Sequence, residues 1–410
     1  MSSGSIRRRE FIKGAMLTGA GLQLAEAGAQ GQPASSPPSG PMLTPPPDQK
    51  IPRRKLGKTG VDTPILIMGC CQTLDAAYDK RLHRAYAIGV DHLDTAQMYA
   101  EGQSHKTLAP FIKQVGDRKK LFIGSKVFQK GEEGTPEAFK TNIDLCLKDL
   151  ETDYMDAFYM HIVQHPRLLD PEFVKMGEEL KKAGKIRFFG FSCHHGDSIP
   201  TLMNKAAAVG GFDVIMFRYS FRECGDLELN KAIDACHKAG IGLIAIKTLA
   251  SVPDDQEQVK QFQSKNFTLI QAKLKAVWAD ERIAGIASQM GNVQHVMENA
   301  AAAISPTQLS MEEFMQLHRF AGQSAHQHCK GCSGVCESCV EGPLRIADTL
   351  RYLMYAECYE QRDMARALYA ELSEEERRFD LADLSAAQNA CPQGIDIAAR
   401  LAHAHSILSA

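Results

Sequence analysis

Along most of the chain, short apolar runs alternate with longer stretches in which apolar residues recur every three or four positions. The runs at 65–68, 92–94, 121–126, 157–161, 187–192, 214–217, 242–247 and 283–287 predict eight strands. Between them, residues 81–88, 137–150, 172–182, 199–208 and 229–239 carry the period of amphipathic helices. Gly89, Gly184 and Gly240 each close a helical stretch just before a strand, where a left-handed residue is needed to end the helix. Eight β/α alternations in sequence predict a parallel sheet, and eight is the number that closes into a (β/α)8, or TIM, barrel. A doubly wound open sheet would carry a Gly-x-Gly-x-x-Gly turn after its first strand. Met68-Gly69-Cys70-Cys71-Gln72 does not supply one.

Composition narrows the function. The 410 residues are 44% hydrophobic and 23% charged, and the net charge of −2 leaves no basic stripe for nucleic acid. No apolar run approaches the ~18 residues of a membrane helix, so an integral membrane protein is not expected. The start differs from the rest. Arg8-Arg9-Glu10-Phe11-Ile12-Lys13 is followed by a weakly apolar Gly/Ala stretch and by the small-residue sites Ala25-Glu26-Ala27 and Ala27-Gly28-Ala29. This resembles a twin-arginine signal peptide over residues 1–29, which implies export of a folded protein to the periplasm. Residues 30–52 hold eight prolines between Pro33 and Pro52 and read as an extended linker. Residues 53–320 form the expected barrel, and 321–410 a small helical carboxyl-terminal domain.

In a barrel of this kind, chemistry sits where strands end at their carboxyl side. The polar residues there are Asp94 and Tyr99 after the second strand, Lys126 after the third and His161 after the fourth. Reduction of a carbonyl by hydride transfer needs a hydride from one face and a proton for the developing alkoxide. A phenol serves when a neighbouring ammonium favours its ionised form. Lys126 is expected to supply that charge, Asp94 to hold the ammonium, and His161 to orient the substrate oxygen.

Arg54-Lys55-Leu56-Gly57-Lys58-Thr59-Gly60, Leu93-Asp94-Thr95-Ala96-Gln97-Met98-Tyr99 and Gly184-Lys185-Ile186-Arg187 together resemble the aldo-keto reductase family. The resemblance runs from about Arg53 to Asn299. It implies a catalytic tetrad of Asp94, Tyr99, Lys126 and His161, a small carbonyl or alcohol substrate, and NAD(P) as cofactor. It also locates the cofactor contacts, where the chain departs from the family. The Ser-Asn pair after the fifth strand is Ser192-Cys193, and the Gln of the sixth strand is Met216. The stacking Tyr is matched to Tyr219, and the loop after the seventh strand carries Lys247. Gln294 and Asn299 match the positions that meet the adenosine part. Thioether and thiol are weak hydrogen-bonding partners beside a carboxamide, so nicotinamide binding is less well supported than Tyr99 chemistry. His194-His195 are expected at the barrel mouth as substrate or cofactor contacts, since no third metal ligand accompanies them.

Of the six cysteines near the carboxyl end, five are spaced as Cys329-x2-Cys332-x3-Cys336-x2-Cys339 and Cys391-Pro392. The cluster is too compact for paired zinc knuckles and too crowded for unstrained disulfides. Its spacing lies one residue from the ferredoxin Cys-x2-Cys-x2-Cys-x3-Cys-Pro pattern. With Ile346-Ala347-Asp348-Thr349-Leu350-Arg351-Tyr352 it resembles the ferredoxin-like tail of a subset of aldo-keto reductases. That implies one [4Fe–4S] cluster on Cys329, Cys332, Cys336 and a fourth ligand, either Cys391 or Cys339. Cys358 reads as packing. Three functions stay open: an exported oxidoreductase with a tightly held nicotinamide or other redox cofactor, exchanging electrons through the tail with a redox partner protein; a nicotinamide-dependent carbonyl reductase whose cluster is structural; and an inactive barrel acting as a binding or electron-transfer partner.

Overall fold

The computed structural model describes residues 40–129, 134–253, 255–359 and 361–409. The signal-peptide reading and the first part of the linker lie outside these residues. A short antiparallel hairpin, β1 (Arg53–Lys55) and β2 (Asp62–Pro64), precedes the barrel. The barrel strands are β3 (Leu66–Gly69), β4 (His92–Asp94), β5 (Phe122–Phe128), β6 (Met155–His161), β7 (Ile186–Cys193), β8 (Val214–Arg218), β9 (Gly242–Ile246) and β10 (Gly285–Gln289). They are parallel and closed, β10 pairing with both β9 and β3. The eight strands fall within two residues of their expected positions.

Around the barrel run α1 (Lys80–Ala87), α2 (Gln103–Val115), α3 (Pro136–Leu150), α4 (Pro171–Lys182), α5 (Ile199–Val209), α6 (Leu227–Lys238), α7 (Asp255–Gln261), α8 (Leu269–Trp278) and α9 (Val293–Ile304). Gly89, Gly184 and Gly240 have φ of 92°, 73° and 75°, the left-handed helix endings that the sequence predicts. Alternation along the strands sorts the core into two. Leu66, Met68, Leu93, Phe158, Phe191, Phe217 and Leu243 face the helices, whereas Ile67, Phe122, Tyr159, Val214, Met216 and Ile244 fill the barrel above Leu56.

Residues 40–52 contain no strand or helix, yet they do not swing free. The Met42 carbonyl accepts from Gln271 Nε2 at 2.7 Å, and Ile51, buried, donates its N–H to Ile88 O at 3.0 Å. After the barrel, α10 (Met311–Gln323) lays Leu317 and Phe320 against Phe221, Phe267 and Ala272. The rest of the tail is α11 (Ser333–Cys336), α12 (Ile346–Cys358), α13 (Arg362–Ala370), α14 (Glu374–Arg377), α15 (Ser385–Ala390) and α16 (Ile397–Leu408). Its own core joins Ile346, Leu350, Leu353, Tyr369, Leu401 and Leu408. Barrel and tail belong to one compact unit, Gly40–Ala410. Among the described residues no helix is long and apolar enough to cross a membrane.

Candidate active site

The strand ends bring Asp94, Lys126 and His161 inside the mouth, and the loop after β4 adds Tyr99. Lys126 Nζ donates to Asp94 Oδ1 at 2.6 Å, to Oδ2 at 2.8 Å and to the Thr95 carbonyl at 2.8 Å. Lys126 is 1% and Asp94 5% exposed, so the pair is fully desolvated. The ammonium stands 4.9 Å from the centroid of the Tyr99 ring. Tyr99 meets His161 edge-on at 5.6 Å, and His161 meets His194 in the same way at 5.7 Å. The four residues of the expected tetrad therefore converge.

Their ionisation differs from the sequence expectation in one respect. Burial, reinforced by Asp94, pushes the Tyr99 phenol well above its ordinary range. Lys126 spends its donors on Asp94 and Thr95, so Tyr99 rests as a protonated acid and not as a phenolate. Burial first, then the Lys126 and Lys247 ammoniums, holds His161 well below its usual value, and burial with Lys247 and Arg351 does the same to His194. Both imidazoles are neutral. Neither nitrogen of His161, nor Nε2 of His194, has a hydrogen-bonding partner, although all three are buried. These are donors and acceptors held ready for a bound molecule.

The backbone is strained around the same mouth. Ala100, Glu101, Ile162, Lys247 and Ala250 have φ between 43° and 57°, and all lie in strand-end loops. For β-branched Ile162 this conformation is costly, and it follows His161 directly. Ile162 N is tied to Ser192 Oγ at 3.0 Å.

The expected cofactor contacts are dispersed. Ser192 serves that backbone bond. Cys193 points out of the barrel toward Cys236, buried among the helix-facing residues. Tyr219 also faces outward, with its hydroxyl donating to Asp280 at 3.1 Å, because it sits one residue off the inward register of Met216 and Arg218. Met216 packs inside the barrel core. Gln294 is exposed on α9, and Asn299 bonds Ser288 at 3.2 Å. Asn292 caps α9 by accepting from His295 N. Of these residues only Lys247 reaches the mouth with a charge, and its Nζ donates to Tyr355 of α12 at 2.9 Å. Of the expected contacts, Ser192 shares the inward register of Met216, whereas Cys193 and Tyr219 face outward and Lys247 is taken by Tyr355.

Sequence reasoning missed the residues that cover the mouth. Arg351, Tyr355 and Tyr359 recur at intervals of four from α12 onward, a polar stripe visible in the sequence as i, i+4, i+8. Arg351 donates to His195 Nε2 at 3.0 Å and to Tyr355 Oη at 3.1 Å, with His194 Nδ1 at 3.5 Å. Burial raises the Tyr355 phenol, but Arg351 and Lys247 outweigh it and bring it down to about 8.

Beside this stripe a cavity of about 10 Å³, room for about one water, lies among Arg218, Lys247, His328, Cys329 and Arg351. Arg218 is 8% exposed, and its Nε and Nη1 are without partners. All twelve cysteines are free thiols. Cys329, Cys332 and Cys336 lie within electrostatic range of one another, and Cys391 acts on Cys332. Cys339 Sγ turns instead to the Val335 carbonyl at 3.2 Å. Among the described residues no three His, Cys, Asp or Glu side chains gather tightly enough to hold one metal ion. A zinc site needs its donors around a single point, whereas a four-iron cluster takes its thiolates on separate irons.

The barrel with a Tyr–Lys–Asp–His mouth defines a class of carbonyl- and alcohol-active oxidoreductases. The aldo/keto reductase family model matches residues 72–319, and the chain belongs to that family. An aldo-keto reductase of Schizosaccharomyces pombe, named for NADP(+), is 26% identical over 53% of this chain and 71% of its own length. The oxidoreductase YqkF of Bacillus subtilis is 23% identical over 67% of this chain and 98% of its own. A Klebsiella pneumoniae aldo-keto reductase solved with NADPH shares the fold, at a TM-score of 0.52 and 21% identity over 67% of this chain and 95% of that one. The carboxyl-terminal tail lies beyond the family match.

Proposed function

We propose that this chain is an exported aldo/keto reductase-type oxidoreductase that reduces a small carbonyl or oxidises the corresponding alcohol, exchanging electrons through a [4Fe–4S] cluster in its tail. The observation that carries the chemistry is the convergence of Asp94, Tyr99, Lys126 and His161 in one desolvated mouth. A carbonyl oxygen between Tyr99 and His161 takes a hydrogen bond from the neutral imidazole and the proton from the phenol. The phenolate left behind faces the Lys126 ammonium, which Asp94 and Thr95 O hold in place. The carbon would take two electrons, delivered one at a time through the tail from the redox partner, and a second proton from solvent, and alcohol oxidation would return both electrons and both protons by the same routes. Cys329, Cys332, Cys336 and Cys391 would hold the cluster, which when bound supplies one-electron transfer. Export to the periplasm rests on Arg8-Arg9 and Phe11, and a redox partner protein would supply or remove the electrons.

The test uses anaerobically purified full-length protein, reduced viologen as electron source, and a panel of small aldehydes and ketones. Turnover should fall ~10²-fold or more in Tyr99→Phe, as is typical on removal of a general acid. Iron should be about four per chain, as for a [4Fe–4S] centre, lost in Cys391→Ser and kept in Cys339→Ser. Unchanged turnover in Tyr99→Phe rejects the acid. One zinc and no iron rejects the electron-transfer tail.

A further inference from the structure

The groove at the carboxyl ends of β9 and β10 is the place where the sequence puts the phosphate and adenosine contacts, and tail side chains fill it. After β9, Lys247 donates to Tyr355 Oη and stands 4.4 Å above the Tyr355 ring. Four residues on, the backbone N–H of Ser251 donates to Tyr359 Oη at 3.2 Å. At the end of β10, Gln289 Oε1 accepts from Gln361, whose amide also lies 3.4 Å from Cys71 Sγ. Gln289 in turn donates to Gln72 at 2.7 Å, which links the tail to the end of β3. A cavity beside Lys247 and Arg351 measures about 10 Å³, against the ~300 Å³ or more of an ordinary small-molecule pocket.

We infer that α12 and the segment leaving it occupy the cofactor groove in place of a dinucleotide, with Tyr355 standing on Lys247 where an anionic phosphate would bind, so that this chain takes no NAD(P)H from solution. The argument has three independent parts. The loop after β9 has its ammonium hydrogen-bonded and covered by a phenol from the tail. The loop after β10 offers no Arg or Lys, and its helix start is capped by Asn292. Of the expected amide contacts, Cys193 is turned away and Met216 offers sulfur in place of a carboxamide, which leaves Ser192 alone facing inward. The tail is thereby a wall of the active site, and it leaves Tyr99, His161 and His194 as the surfaces a small substrate meets. This inference rests on the tail's contacts and on the strand-end residues, and it holds whether or not the cysteines carry iron.

The experiment titrates full-length protein, as isolated, with NADPH and NADH by nicotinamide fluorescence and calorimetry, and assays an acid extract for nicotinamide. The expected result is no saturable binding and an extract without nicotinamide. Micromolar binding, or nicotinamide at one per chain, overturns the inference. The variant Tyr355→Ala/Gln361→Ala, checked for its fold by circular dichroism, should gain saturable NADPH binding. If it folds and still does not bind, the eroded strand-end contacts and not the tail exclude the dinucleotide, and the tail's role is overturned. Tyr355→Phe keeps the ring and releases Lys247, so it provides a gentler readout. Amide exchange at Ser251 and through the loop after β9 should quicken. Unchanged exchange there means that the Tyr355–Lys247 contact does not hold the tail in the groove.

Discussion

Removing one partner of the Asp94–Lys126 pair should destabilise the barrel in a way that depends on pH with opposite sign for the two single variants. Both groups are almost fully buried and share two short hydrogen bonds. At 2.6 Å and an effective dielectric of about 20 their attraction is about 6 kcal/mol, most of which offsets desolvation. In Lys126→Met the stranded carboxylate escapes by taking a proton. From an ordinary pKa of about 3.9 that costs about 4 kcal/mol at pH 7 and only about 1.5 kcal/mol at pH 5. Asp94 already leans this way, since burial raises its carboxyl even with Lys126 beside it. The native variant binds the extra proton, so its deficit relative to the parent grows as pH rises and shrinks as it falls. In Asp94→Asn the stranded ammonium must lose a proton from about 10.4, which costs about 4.6 kcal/mol at pH 7 and eases toward alkaline pH. The double variant leaves no buried charge and should recover most of the loss, while all three lose activity. Urea unfolding at pH 5, 6 and 7, followed by circular dichroism, measures each deficit. Equal deficits at pH 5 and 7 for Lys126→Met, or a double variant that costs the sum of the singles, would refute the reasoning.

Two further outcomes are expected. The Tyr355 phenol sits at about 8 in the folded protein against about 10 unfolded, so its contribution is absent below pH 8, grows between the two values and is complete above the higher one. The stability difference between parent and Tyr355→Phe should widen by about 2–3 kcal/mol from pH 7 to pH 10, and a constant difference would show that the phenol is not ionised by Arg351 and Lys247. Replacing Arg8 and Arg9 by Lys should hold the precursor in the cytoplasm, as fractionation would show; a double variant that still reaches the periplasm rules out the twin-arginine reading.

The barrel and its tetrad were legible in the sequence because both are local. Alternation marks strands, glycines mark helix ends, and a charged residue at the end of an apolar run is conspicuous. The hairpin at Arg53–Pro64 and α2, which carries Pro110 inside it, were less visible because short strands and a proline blur the period. The errors at the site were errors of facing. Cys193 and Tyr219 stand one residue off the inward register, and a family motif read without that register puts them on the wrong side of the wall. The direction of the Tyr99 shift was hidden too, since it depends on how deeply the phenol is buried and on the Asp94 charge near it. The docking of α12 onto the mouth joins residues about a hundred positions apart, and no local pattern encodes such a pairing. Only the spacing of Arg351, Tyr355 and Tyr359 hinted that one face of that helix was reserved for something polar.

The tail is covalently part of the chain and is fastened to the mouth by Arg351, Tyr355, Tyr359 and Gln361. A soluble cofactor works at whatever concentration its compartment maintains, and it must arrive, bind and leave in every cycle. A tethered module is present at an effective concentration of about millimolar fixed by the polypeptide, and dilution does not change it. Under the proposed function, the rate law would contain a term for substrate and a term for the external electron partner, and none for a diffusing hydride carrier.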